Sequence, residues 1–292
     1  MSFNDSTAGV KIPAVTLSSP VSLEGIGLHS GRTVRLTVLP TLLGELESGI
    51  VFVRTDLANA PEIRVTDVDP KAPPFRTALR KGEADVHTVE HLLSALSALG
   101  VTHCRIELDG PEVPGMDGSA KNFVDAIRAA GTTQLQVDSV APLVIASEVT
   151  VEDGIAKLTA TPVPGQRSLT IDYTLHYPGH TLAQGQYRFE VSADAFVREI
   201  APARTFAMKP DAEAMRAAGL GKGATLQNTV IIDGDKPVET TLRFDNEPVR
   251  HKILDLIGDL YVLGRPVYGH IEARCSGHKT NRELAKKLAA AH

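Results

Sequence analysis

Two stretches of the chain hold residue types that can do chemistry together. The first is Phe244-Asp-Asn-Glu-Pro-Val-Arg-His-Lys-Ile-Leu-Asp-Leu-Ile-Gly-Asp259. Pro248 suits a first helical position, Asn246 or Asp245 can cap it, and Gly264 with Pro266 should stop the helix after Leu263. At roughly 100° per residue, His251, Asp255 and Asp259 share one stripe. Val249, Ile253, Leu256, Ile257 and Leu260 lie opposite, where a core is expected, so the polar stripe is expected not to pack. A His and an Asp four residues apart can hold one metal ion from a single helix. A plain solvated face would carry the same residue types.

The second stretch is Asp85-Val-His-Thr-Val-Glu-His-Leu-Leu-Ser-Ala-Leu-Ser-Ala-Leu-Gly100. It reads as a helix capped by Thr88 or Asp85 and ended by Gly100, with Glu90 and His91 in or near its first turn. A Glu beside a His recurs in zinc hydrolases: the neutral imidazole ligates the metal, and the carboxylate takes a proton from water. The helix dipole also favours acids in first turns regardless of function. A competing reading takes His87-Thr-Val-Glu-His91 as H-x-x-E-H, with His87 and His91 as ligands and Glu90 as base. That reading leaves the His251 helix without a role. Otherwise His87 is expected on a helix surface.

Strand-like segments come first: Ala14 to Leu17, Val34 to Val38 and Ile50 to Arg54. Gly25-Ile-Gly-Leu-His-Ser-Gly31 reads as a turn and lacks the strand-to-helix setting and the Lys of a phosphate loop. Val65 to Arg80, with Pro70, Pro73 and Pro74, reads as an irregular loop. After the Glu90 helix come a strand, Cys104 to Leu108, a turn, Asp109 to Gly118, and a helix, Ser119 to Ala130. From about residue 139 the pattern restarts with strands at Leu143 to Val151, Ala156 to Ala160 and Leu169 to His176. A short helix near Ala193 to Glu199, a helix from Asp211 to Ala218 and a strand from Val230 to Asp233 follow. The His251 helix, a strand from Tyr268 to Ala273 and a last helix from Asn281 finish the chain. The halves echo each other: each has a His-bearing helix, then Gly100 or Gly264, then a strand containing Ile-Glu, then a turn and a helix. Two similar α+β domains, 1–138 and 139–292, are expected, with a site between them taking His91 from one and His251 with Asp255 from the other.

Composition narrows the function classes. The 292 residues are 42% hydrophobic, ample for a buried core, and Trp is absent, so Val, Leu, Ile and Ala should fill it. A net charge of −5 without a Lys/Arg-rich run argues against nucleic-acid binding. Cys104 and Cys275 are too few for a disulfide scaffold or a Cys-based zinc site, and a reducing cytoplasm is the expected location. The opening Met-Ser-Phe-Asn-Asp-Ser-Thr does not read as a signal peptide, and no stretch approaches the ~20 apolar residues of a membrane span.

In order and spacing, a longer set of segments resembles the UDP-3-O-acyl-N-acetylglucosamine deacetylases, zinc amidases that commit a sugar nucleotide to lipid A synthesis. The segments are Gly25 to Gly31, Arg54-Thr-Asp56, Thr88 to Leu92, Met116 to Ser119, Ser192 to Phe196, Ala203 to Phe206, Arg250 to Asp255, Ile257-Gly-Asp259 and Ser276-Gly-His278. The resemblance covers nearly the whole chain. It implies two β-α-α-β layered domains, each with an insert, and a catalytic zinc between them. It assigns the zinc ligands to His91, His251 and Asp255, leaving a fourth position for water. Glu90 matches the general base, His278 the acid that protonates the leaving amine, Asp259 the carboxylate orienting that His, and Thr205 the hydroxyl holding the oxyanion. Phe206 and Lys252 match substrate-contacting positions. The second insert, about 207–236, would help form a passage for the acyl chain, with Ala212, Ala214, Met215, Ala217, Ala218 and Leu220 suited to its wall. One zinc per chain is implied, with iron the alternative occupant in the cell. The implied partner is the acylated sugar nucleotide, with proximity to a membrane surface rather than a span and no obligate protein partner. One departure stands out: the family carries a Lys three residues before the His of the Ser-Gly-His turn, and here Cys275 fills that place, with Arg274 beside it. Alternation along a strand should turn those two side chains to opposite faces.

Overall fold

The computed structural model describes residues 10–41, 49–136 and 139–292. The opening heptapeptide and residue 138, the end of the first expected domain, lie outside them. The elements run in chain order: β1 (Val15–Leu17), β2 (Val21–Ile26), β3 (Thr33–Leu39), β4 (Ile50–Arg54), β5 (Glu62–Arg64), β6 (Ala78–Lys81), β7 (Ala84–His87), α1 (Glu90–Ala98), β8 (Cys104–Leu108), α2 (Lys121–Ala130) and β9 (Thr132–Gln134). Then come β10 (Leu143–Val144), β11 (Val149–Asp153), β12 (Ala156–Thr161), β13 (Leu169–His176), β14 (Gln184–Glu190), α3 (Ala193–Ala195), β15 (Phe206–Met208), α4 (Lys209–Ala217), β16 (Val230–Asp233), β17 (Lys236–Pro237), α5 (Glu247–Leu260), β18 (Val267–Arg274) and α6 (His278–Ala290).

The fold is α+β, built on two mixed sheets with the same wiring. The first is ordered β2-β3-β8-β4-β5 and the second β11-β12-β18-β13-β14, with β10 also pairing with β18. In each, the central strand runs antiparallel to one neighbour (β3 or β12) and parallel to the other (β4 or β13). The echo between the halves in the sequence is thus an echo of topology. Leu36, Phe52 and Ile106 of the first sheet, Leu158, Ile171 and Ile271 of the second, and Leu92, Leu93 and Leu96 of α1 join one buried cluster. Burial of this apolar surface is the main force that docks helices on sheets.

α1 packs against α5, and each half thereby contributes one helix to the contact. The approach is close because α5 carries Gly258 there: a Cβ added to it would stand 2.0 Å from the main-chain oxygen of Glu90. α2 packs beside α1 and reaches β2, α6 packs beside α5 and reaches β11 and β12, and α5 itself reaches β13 and β14. A smaller unit, β15-β16-β17 with α4 packed on it, fills the place read as the second insert.

Several boundaries differ from the sequence reading. Asp85, Val86 and His87 are strand, not helix, because β7 pairs with β6 as a hairpin. His87 therefore ends a strand, and α1 starts three residues later. Gly25 and Ile26 belong to β2 rather than to a turn, since β2 pairs with β3 through Ile26. Leu143 to Val151 is two strands, and α5 ends at Leu260, followed by one tighter turn to Leu263. β14, whose exposed residues are polar, was not foreseen. The polar stripe of α5 is the largest difference: His251, Asp255 and Asp259 are 2%, 2% and 0% exposed, so α5 is buried on both sides.

Candidate active site

The α1–α5 contact brings together two sets of three buried side chains. His91 from α1 and His251 and Asp255 from α5 form one, and Glu90, Asp259 and His278 form the other; within each, the potential ligand atoms lie within 4.8 Å of one another. The helical repeat that put His251, Asp255 and Asp259 on one stripe assigns Asp255 to the first set and Asp259 to the second.

The first set converges on one point. Nδ1 of His251 faces the carbonyl of Ala203 at 3.0 Å, which makes it the N–H and leaves Nε2 as a lone pair. That Nε2 is 3.3 Å from Oδ1 of Asp255, and Nε2 of His91 is 3.7 Å from the same oxygen. Oδ1 is buried and accepts no hydrogen bond, whereas Oδ2 accepts one from the Lys252 ammonium at 2.9 Å. Burial resists charging Asp255, but His251, Lys252 and His278 hold its carboxyl well below the usual carboxylate range. Burial pushes His251 down to about 4 against the pull of Asp255, so its imidazole is neutral. Two imidazoles, that of His251 neutral, and one ionised carboxylate converge on a shared space and are a donor set that suits zinc; ligands about 2 Å from a tetrahedral ion stand roughly 3.4 Å apart. The unpartnered oxygen is the feature that a cation explains and a hydrogen-bonded network does not.

In the second set, partners surround the carboxylates. Oδ2 of Asp259 accepts from His278 Nδ1 and Asn281 Nδ2, each at 2.8 Å, and Oδ1 accepts from the Thr77 hydroxyl at 2.6 Å. Nε2 of His278 is left 3.8 Å from Oε1 of Glu90 and 3.8 Å from Oδ2 of Asp255. Burial opposes the imidazolium, yet Asp259, Asp255 and Glu90 together raise His278 to about 9. Glu90 is raised by burial, with His278 pulling the other way. Its Oε2 accepts from the Thr77 amide at 3.1 Å. A neighbouring dication would lower both groups, because it favours the deprotonated form of each.

Thr77 was missed by the sequence reading. It is fully buried, and its N–H holds Glu90 while its hydroxyl holds Asp259. It sits in the Pro-rich loop with no motif around it, and the reach of a main-chain amide leaves no mark on residue type.

Both sets open into one cavity of about 410 Å³, lined also by Thr205, Phe206 and Lys252. The Thr205 amide donates to the carbonyl of Gly118 at 2.7 Å, tying the start of β15 to the first half of the chain. The ring of Phe206 is 6.4 Å from that of His251 and lies under the Lys252 ammonium at 5.7 Å. Farther out, Ala212, Met215, Leu220, Ala224, Leu226 and Ile231 give the wall an apolar part, with Arg216, Thr225 and Thr229 among them. Of the residues suggested for a passage wall, Ala212, Met215 and Leu220 face the cavity; Ala214, Ala217 and Ala218 do not. Cys275 lines the cavity, and Arg274 lines a separate shallow groove with Thr174 and His176; β18 ends at Arg274 and Cys275 follows it with φ of +48°, so strand alternation is not what parts the two. His87 is absent from both three-residue sets; its Nε2 lies 3.4 Å from Asp85. The H-x-x-E-H reading therefore fails on geometry.

Comparison with known proteins gives a consistent result. The family model described as UDP-3-O-acyl N-acetylglycosamine deacetylase matches residues 14–290. Among similar proteins, each named UDP-3-O-acyl-N-acetylglucosamine deacetylase, that of Anaeromyxobacter sp. (strain Fw109-5) is 41% identical over 94% of this chain and 88% of its own. That of Myxococcus xanthus (strain DK1622) is 42% identical over 94% and 85%, and that of Synechocystis sp. (strain ATCC 27184 / PCC 6803 / Kazusa) 38% over 94% and 98%.

Proposed function

The chain belongs to the UDP-3-O-acyl N-acetylglycosamine deacetylase family, and from that premise we propose that it removes acetate from UDP-3-O-(3-hydroxyacyl)-N-acetylglucosamine in a zinc-dependent hydrolysis. The observation that carries this reading is the division of labour between the two buried sets: one presents unpaired lone pairs, and the other presents a base and an acid.

His91, His251 and Asp255 would hold the zinc. Bound there, the ion supplies Lewis acidity toward the amide carbonyl and toward water. The protein's own groups do the rest. Glu90 accepts the proton of the attacking water; its burial raises its affinity for that proton. His278, charged through its carboxylate neighbours, gives a proton to the nitrogen as the C–N bond breaks, so the amine leaves neutral. Asp259 fixes the tautomer and orientation of His278 through Nδ1. Thr205 lines the cavity, and its hydroxyl would serve as a donor for the oxyanion. Phe206 and Lys252 contact the substrate beside the metal ligands, and Lys252 does so with the ammonium hydrogens that Asp255 leaves free. The apolar wall around Met215 and Leu220 takes the acyl chain; each methylene buried there contributes about 0.8 kcal/mol. The chain divides near residue 139 into two domains, and the reaction is the committed step of lipid A synthesis.

The test is acetate release, measured side by side on UDP-N-acetylglucosamine with and without the 3-O-acyl group, together with metal content. One zinc per chain and a far higher kcat/KM for the acylated substrate are expected. Equal values for the two substrates would contradict both the acyl passage and the lipid-pathway assignment.

A further inference from the structure

The segment that delivers the base is bent in a way that ordinary sequence avoids. Between the end of β7 at His87 and the start of α1 at Glu90, Thr88 has φ of +58°. Left-handed backbone is rare for any side chain and rarest for a β-branched one, whose Cβ substituents crowd the main chain. This bend replaces the helical start expected from the sequence. It reverses the chain abruptly enough for Glu90 and His91 to follow a strand by three and four residues and still face the α5 contact. Thr88 is 3% exposed, so water does not hold it there.

We propose that Glu112 is a positioning residue for this turn: its buried carboxylate clamps Thr88 in the left-handed conformation and thereby sets where Glu90 stands. Glu112 is 1% exposed, and its carboxylate accepts hydrogen bonds from two other segments of the chain. Oε1 accepts from the Thr88 hydroxyl at 3.0 Å and from the amide of His29 at 2.9 Å; Oε2 accepts from the amide of Ser30 at 2.8 Å. Burial opposes its charge, but the Ser30 hydroxyl and the His29 and Ser30 amides keep its carboxyl below the usual range. The clamp itself is anchored. The His87 amide donates to the carbonyl of Pro111 and the Val113 amide to that of His87, so Glu112 is strapped beside the strand end on which it acts. Gly27 leaves the space: a Cβ there would stand 2.5 Å from Oε2 of Glu112. On the other side, the Thr88 amide donates to the carbonyl of Thr77 at 2.9 Å, and the Thr77 amide holds Glu90 at 3.1 Å.

The Gly25–Gly31 and Asp109–Gly118 segments, which read as bare turns in the sequence, thus acquire a joint task. One supplies amides that hold the carboxylate in place, and the other supplies the carboxylate. Glu112 touches no reacting atom. It acts through Thr88 on Glu90, so the inference rests on Glu90 being the base.

Three substitutions at position 88 test it without unpairing Glu112 from its two amides. Thr88→Ser keeps the hydroxyl and should keep kcat within about twofold. Thr88→Val keeps the branched shape but loses the hydroxyl, leaving the left-handed turn unheld; kcat should fall about tenfold, with KM within about twofold and metal content unchanged. Thr88→Gly also lacks the hydroxyl, yet glycine adopts this conformation without strain, so kcat should recover most of what Val loses. Glu112→Gln, which keeps shape and one acceptor oxygen, should fall between wild type and Thr88→Val. The inference is overturned if Thr88→Val turns over like wild type. It is equally overturned if Thr88→Gly is as slow as Thr88→Val, which would mean that the hydroxyl acts on the substrate itself. Failure of the underlying reading looks different: Glu90→Gln would then turn over normally, whatever residue 88 is.

Discussion

The two buried sets are neighbours with opposite hydrogen-bond habits. Asp255 and Asp259 lie one turn apart on the same helix, equally shielded from water, yet Asp259 is saturated by Thr77, His278 and Asn281 while Asp255 keeps a bare oxygen between two imidazoles. A buried carboxylate surrounded by donors orients a partner and does not move. One with an empty lone pair among other lone pairs is waiting for a cation. Burial alone does not separate the two roles; where each remaining lone pair points does.

The severest way to break the distinction is to push α1 away from α5. Gly258→Ala places a methyl against the Glu90 carbonyl. It should disperse both sets at once, costing bound metal, about 10²-fold or more in kcat, and about 1–3 kcal/mol of stability. Metal content, turnover and thermal unfolding check this together. Next in size are changes that strike one set only. His251→Ala should remove metal and activity while the Asp259–His278 pairing persists. Glu90→Ala and His278→Ala should each lower kcat about 10²-fold or more and keep the metal.

A subtler change sharpens the account of proton transfer. With Glu90 as base and His278 as acid, as proposed, turnover needs the first deprotonated and the second protonated, so the pH profile should be bell-shaped. Glu90 sets the acidic limb: burial raises it, and a bound dication lowers it. His278 is raised by its carboxylates, so activity should fall as pH climbs through its pKa. Asp259→Asn removes one of those carboxylates and should move the alkaline limb to lower pH. An unmoved limb would assign it to another group. The smallest effect is expected outside both sets: His87→Ala should leave metal content and kcat within about twofold.

The sequence showed this centre unevenly, for physical reasons. The i, i+4 spacing on α5 survives any packing, so His251, Asp255 and Asp259 could be grouped before the fold was known. Their burial could not, because polar residues on a helix face normally mean solvent; here α1 covers them, and Gly258 carries that information only as the absence of a side chain. Cys104–Leu108, Leu169–His176 and Val230–Asp233 were legible from runs of apolar and β-branched residues. The end of β7 was not, because the left-handed turn at Thr88 depends on Glu112, a partner 24 positions away. Thr77 acts on Glu90 through a main-chain amide, to which a reading of residue types is blind.

The central claim is that one set holds the metal and the other moves protons. It is tested most directly by measuring metal stoichiometry and kcat together for His251→Ala and His278→Ala. The account predicts that His251→Ala loses the metal and that His278→Ala keeps one ion per chain while turning over about 10²-fold or more slowly. Retention of the ion by His251→Ala, or its loss from His278→Ala, would contradict it.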